Sequence, residues 1–270
     1  MTMPSGPFAV RPLYAAAELR QCQDVQRRAW GIAEDGYLVP VATLAAVAAY
    51  GGLVLGALEG ERVIGFSFAF RGVIDGTTPC LYSQLTGVLP EAQGGGVGRR
   101  IKAAQRQWAR EQGLPLIVWA FDPLQSLNAH YNLRVLGARV THYHPDFYGP
   151  REDALNPGLP TDRLIAIWPT TEPTPPAATP PEDATIKLFL SRTIDDDPPE
   201  PELRAWEPYR CVGIEIPPDL GAMRHVPGLS ARWQAAVRTA FTRAFAEGYE
   251  GVSFVKGDGY AFYVLIPKER

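Results

Sequence analysis

The residues best equipped for chemistry are Gln93, Gly94, Gly95, Gly96 and Gly98, in the stretch QGGGVGRR that ends at Arg100. Bare backbone at the start of a helix suits one kind of visitor. The first N–H groups of a helix have no internal partner and its dipole adds partial positive charge there, so a phosphate or pyrophosphate is the natural ligand. Val97, Ile101, Ala104 and Trp108 recur at helical spacing as an expected buried face, and Arg99, Lys102, Arg106 and Arg110 as an expected basic one. Two familiar phosphate loops do not fit. A Walker loop needs Lys and then Ser or Thr after its last glycine, where this chain has Arg99 and Arg100. A dinucleotide fingerprint needs its glycines directly at the strand end, and here Leu89 to Gln93 intervene.

The elements that must position this loop follow from the flanking pattern. Leu81 to Leu89 is β-prone and stops at Pro90, which cannot donate to a ladder. Before it, the pattern predicts a strand over 8–13, helices over 14–30 and 40–50, and strands over 53–58 and 62–70 joined by Glu59-Gly60-Glu61. Residues 71–79 read as a turn-rich loop, and 80–89 as the next strand. The segment 31–39 reads as an exposed loop; Trp30, Glu34, Asp35 and Tyr37, close together, could wall a substrate site, and a solvated loop with one anchoring aromatic is the other reading. After the glycine loop come a helix, a strand over 114–121, a helix over 126–136 stopped by Gly137, and strands over 140–144 and 163–168.

Gln93-x-x-Gly96-x-Gly98 after a strand ending Val88-Leu89-Pro90-Glu91, in this order of elements, resembles the acyl-CoA pyrophosphate loop of the GCN5-related N-acetyltransferase (GNAT) superfamily. WAFDP, LNAHYNL, LGARV and HPDFYG together resemble a bacterial branch of it. The resemblance implies an α/β (α+β) GNAT fold, a mixed and mostly antiparallel sheet flanked by helices. It also implies acetyl-CoA or another acyl-CoA as co-substrate, bound by Val88, Gln93, Gly94, Gly95, Gly96, Val97, Gly98 and Arg99, with Asn128 as a polar contact. The implied activity is transfer of an acyl group to a small amine; a protein that binds acyl-CoA without turning it over is the other reading.

The family's usual catalysts are missing. The strand positions that commonly hold a base carry Ser83, Gln84 and Thr86, and the helix position that commonly holds an acidic tyrosine carries Leu133, while Ala129 and Gly137 match the second motif. Replacement candidates are His144 as a base, in the cluster His142, Tyr143, His144, Asp146 and Tyr148, and Tyr131 as an acid. Asp122 either orients the acceptor or caps the following helix.

Composition bounds the partners. The chain has 270 residues, 46% of them hydrophobic, a net charge of -3 and a pI near 5.9. This balance argues against a nucleic-acid binder. Cys22, Cys80 and Cys211 are far apart and show no metal or disulfide spacing. No leader or span of about 20 apolar residues is present, so no membrane partner and a cytoplasmic location are expected. A Pro/Thr-rich linker over 169–183 separates a first domain, 1–168, from a smaller C-terminal α+β domain, 184–270, which could complete a homodimer. In the latter the sequence predicts a strand over 209–216, a helix capped by Ser230, and a hairpin about Gly257-Asp258-Gly259.

Overall fold

A computed structural model describes residues 7–149, 159–171, 185–193, 196–223 and 225–268. They divide into two compact units, one reaching Trp119 and including Pro169–Thr171, the other beginning at Ala120.

In the first unit β1 (Ala9–Pro12), β2 (Leu53–Glu59), β3 (Arg62–Ile74) and β4 (Thr78–Val88) pair antiparallel in sequence order. β4 then pairs in parallel with β5 (Leu116–Phe121) through Cys80↔Leu116, Leu81↔Ile117 and Tyr82↔Val118. The mixed, mostly antiparallel sheet is the expected one. α1 (Ala16–Trp30), stopped by Gly31 at φ 63, and α2 (Val41–Ala49) lie where the sequence places them. Trp30 packs edge-on against Phe66, 6.2 Å between centroids, so it anchors its loop to the sheet.

Residues 71–79 are not a loop. β3 and β4 continue through Val73↔Pro79 and Ile74↔Thr78. Asp75 at φ 54 and Gly76 at φ 72 make the tight turn, a conformation that an Asp-Gly pair adopts readily. Farther along, the ladder slips by one residue: Phe68 faces Leu85 but Ala69 faces Ser83, leaving Gln84 as the extra residue of a β-bulge.

α3 (Val97–Glu111) packs on β1 to β4. Its buried positions are Val97, Ile101, Lys102, Gln105 and Ala109, which corrects the expected split into faces. Lys102 belongs to the buried side, whereas Ala104 and Trp108 are only half-buried. Polar residues occupy that side because β3 and β4 offer them hydroxyl partners there.

The second unit orders its strands β7-β6-β11-β12-β10-β8-β9. These are β6 (Arg139–His144), β7 (Arg163–Pro169), β8 (Lys187–Arg192), β9 (Pro201–Leu203), β10 (Val212–Ile216), β11 (Tyr249–Lys256) and β12 (Ala261–Pro267). All neighbours named by register run antiparallel except β10 and β8. Helix α5 (Leu229–Ala246) packs across β6, β8, β9, β10 and β11 and buries Trp233, Val237 and Phe241. Its cap is Gly228 at φ 73, so Ser230 is inside the helix and does not cap it.

The expected boundary at 168 differs from this division. β6 pairs with β11 through Val140↔Gly251, Tyr143 stacks on Phe241 at 5.9 Å, and the buried Asp162 takes two hydrogen bonds from Arg238. These contacts tie 120–149 and 159–168 to the C-terminal elements. Of the expected linker, Thr170 is held by hydrogen bonds to Leu114 and Pro115 carbonyls, and residues 172–183 lie outside the described residues.

Candidate functional site

The glycine loop is built from the end of β4 outward. Leu89 donates its N–H to the Ile64 carbonyl, and a 3-10 turn over Pro90–Ala92 redirects the chain. Gln93 Nε2 reaches back to the Val88 carbonyl at 3.2 Å, tying the loop to the strand it leaves. Gly94 and Gly96 then adopt φ 80 and φ 77, the left-handed region that side chains with a Cβ enter only with strain. A Cβ on either would meet nothing within 4 Å. The loop therefore opens outward, and α3 begins at Val97 with no side-chain cap over its first N–H groups. Arg99 is exposed in the first turn. A phosphate-bearing ligand fits this cradle of positive-φ glycines and open helix end.

Around the loop the charges are already arranged. Glu91 receives both Arg28, at 2.9 and 3.0 Å, and Arg62 at 2.5 Å. Its own backbone N–H, then the two guanidiniums, hold its pKa below the usual range. This neutralises the one acid of the segment. The Arg100 guanidinium sits over the Phe8 ring, 4.2 Å from its centroid.

Beside the loop, β4 continues from Ser83 to Val88 past its last rung with β5. Under that stretch, on the α3 side, runs a buried polar chain. Lys102 Nζ donates to Ser83 Oγ at 3.0 Å; Gln105 Nε2 donates to Ser83 Oγ at 3.0 Å and also to Ser67 Oγ, whose hydroxyl donates to the Leu85 carbonyl at 2.9 Å. Ser67 also shares a 3.2 Å contact with Thr86 Oγ1. The Lys102 head group lies 4.2 Å from the Trp119 ring centroid. Burial pushes its pKa down to about 7. Periodicity alone places Lys102 on the basic face with Arg99 and Arg106; its hydrogen bond to Ser83 and its contact with Trp119 mark it as an inside residue.

The remaining candidates lie in the second unit. Asp122 accepts from the Leu124 N–H at 2.9 Å and from Gln125 Nε2 at 3.4 Å, a local turn bond, and its pKa is raised by burial. The predicted helix 126–136 is one α-helical turn, α4 (Ser126–Ala129), running into a π-helix over His130–Val135. Asn128 is exposed on α4, Tyr131 is half-buried in the π turn, and Leu133 is fully buried as a core residue. His144 ends β6, stacked on His142 at 6.5 Å and tilted against Phe147 at 5.2 Å. Burial, then the neighbouring His142, lowers its pKa, which leaves the ring neutral at pH 7.

Others of that cluster have structural work. Tyr143 donates to Asp162 at 2.5 Å, and burial raises its pKa far above the usual range. Asp146 accepts from the Thr161 N–H at 3.1 Å, and the Tyr148 N–H donates to Thr161 Oγ1 at 2.8 Å. Of the sequence candidates, the structure thus gathers Val88, Gln93, Gly94, Gly95, Gly96, Val97, Gly98 and Arg99 at one place in the first unit. It places Asp122, Asn128, Tyr131 and His144 in the second.

No family profile and no curated protein sequence matches the chain. Solved structures do. The Salmonella typhimurium protein yncA, solved with its cofactor acetyl-CoA, is 21% identical with a TM-score of 0.50, covering 64% of this chain and 100% of its own. The ribosomal-protein-S5-alanine acetyltransferase of Vibrio fischeri is 12% identical with a TM-score of 0.49, covering 65% and 100%. With the strand order, the bulge in the β3–β4 ladder and the glycine loop opening α3, the likeness to the Salmonella protein has one meaning for architecture: the chain carries the fold of the GCN5-related N-acetyltransferase superfamily.

Proposed function

We propose that the chain is an acyltransferase that takes an acyl group, acetyl in the simplest case, from an acyl-CoA and gives it to a small amine. The carrying observation is the loop itself: Gly94 and Gly96 at positive φ, open on their outer side, leading into an uncapped α3 at the end of β4. The pyrophosphate binds at the N-terminus of α3, with Arg99 beside it, and the pantetheine arm lies along the free stretch of β4 from Val88 toward Ser83. That the similar Salmonella protein was solved with acetyl-CoA supports this choice of donor. His144, neutral at pH 7, is the candidate base for the amine; Asn128 remains a candidate contact to the donor, Asp122 a candidate to orient the acceptor and Tyr131 a candidate acid.

Calorimetry with acetyl-CoA tests the donor assignment. Saturable binding is expected, and none at near-millimolar ligand would end it. Release of free thiol with a panel of small amines tests turnover; tight binding with no thiol released from any amine would favour a sensor over an enzyme.

A further inference from the structure

We propose that Lys102 delivers the proton to the coenzyme A thiolate as it leaves, its head group held by Ser83 and Trp119 where the β4–β5 ladder ends. This rests on the acyl-CoA reading above. It deepens that reading by assigning a residue to the step that Leu133 leaves without an acid.

Position comes first. The last rung of the ladder is Tyr82↔Val118. Ser83 and Trp119 are the next residue on each strand, and the Lys102 head group touches both, 3.0 Å from Ser83 Oγ and 4.2 Å from the Trp119 ring centroid. Its amino group is thus at the point where the strands cease to pair. The loop lies on the same side of the sheet, because a Cβ on Gly98 would stand 3.9 Å from Val88 Cγ2 and Ser83 turns its hydroxyl toward α3. A donor held at the start of α3 and extended back along β4 runs toward Lys102. At about 3.3 Å per residue, Val88 to Ser83 spans about 17 Å, the scale of an extended pantetheine arm.

Electrostatics point the same way. The lysine meets Ser83 on β4 and Trp119 on β5; Gln105 on α3 shares Ser83 with it and leads on to Ser67 and Thr86, and the cations Arg99 and Arg106 stand on neighbouring turns of its own helix. Among the described residues of this unit no carboxylate is paired with it, and burial alone accounts for its lowered pKa. A buried cation without a counter-charge gains most from an anion that forms beside it, so the lysine favours the departing thiolate over the neutral thioester. Among the described residues Ser83 alone accepts a hydrogen bond from it, which leaves donors for the sulfur.

The step balances. The amine nitrogen forms a bond to the carbonyl carbon, the C–S bond breaks with its electron pair on sulfur, and the Lys102 ammonium passes one proton to that sulfur. The acylated nitrogen loses its extra proton to solvent, and the neutral lysine recovers one from solvent.

The test uses the full chain and coenzyme A itself. The ultraviolet band of the bound thiolate is followed against pH in the wild type, in Lys102→Met and in Lys102→Gln, the last covering a failure of the first to fold. The wild type should ionise the bound thiol about one pH unit lower, tenfold more readily, than either variant. With any amine that turns over, the variants should lose kcat about a hundredfold at unchanged KM for acetyl-CoA. Equal thiol titration in all three proteins overturns the assignment while leaving the binding site intact. A wild type that does not bind coenzyme A overturns the acyl-CoA reading first, and the assignment with it.

Discussion

Lys102 donates a 3.0 Å hydrogen bond to Ser83 although the lysine is only 6% exposed. Because its folded pKa is about 7 against 10.5 in the open chain, the folded protein binds fewer protons between these values. Stability must therefore rise with pH across that window, the penalty being complete below it and gone above it. Urea midpoints from about pH 6 to about pH 9 should climb in the wild type and stay flatter in Lys102→Met. The variant should be the more stable protein at the acid end, by on the order of a few kcal/mol.

Gly96 carries φ 77 with open space beyond it, so its two roles separate by substitution. Gly96→Ala costs about 1 kcal/mol through the left-handed backbone alone and should lower Tm by a few degrees. Gly96→Glu adds bulk and negative charge at the anion site. It should abolish acetyl-CoA binding in calorimetry, and unchanged affinity would show that the loop holds something else.

Asp162 is fully buried and accepts Arg238 at 2.7 and 2.9 Å together with the Tyr143 hydroxyl and the Asp146 N–H. Arg238→Met strands that carboxylate. We expect a loss of about 3 kcal/mol in denaturant unfolding, whereas Arg232→Met, which breaks an exposed pair with Glu200 and a bond to the Pro227 carbonyl, should leave the urea midpoint close to that of the wild type.

His144 has a pKa below its ordinary 6.5, so it is fully able to accept a proton at pH 7 and loses that ability as acidity increases. If it is the base, kcat/KM falls on the acid side below that value, and His144→Gln removes this limb along with most of the rate. An acid limb that persists in the variant would transfer the role to another group.

The loop was legible because its signal is local. Glycines at fixed spacing after a β-prone stretch dictate a left-handed turn and an uncapped helix, whatever packs elsewhere. What failed was non-local. Lys102 falls on the basic face by periodicity, and inside the fold its ammonium is met by the Ser83 hydroxyl and the Trp119 ring, both from distant strands. The pairing of Val140 with Gly251 joins positions far apart in the chain, so the division into units could not be read from composition. In one place the signal is local and present in the residues: Asp75-Gly76 is a pair suited to a hairpin turn, inside the stretch 71–79 that reads as a loop. The π turn at His130–Val135 has no marker in its residues that we can identify.

Gln84, the unmatched residue of the β3–β4 ladder, has an arithmetic consequence. Side chains alternate along a strand, so Thr86 and Ser83, three apart, should point to opposite faces, yet Ser67 contacts Thr86, and Gln105 bridges Ser67 to Ser83. The odd residue between them restores their parity. Loss of that single codon would leave Ser83 and Thr86 two apart in a regular ladder, both still facing α3, and would take away only the bend and added twist that the bulge gives the strand.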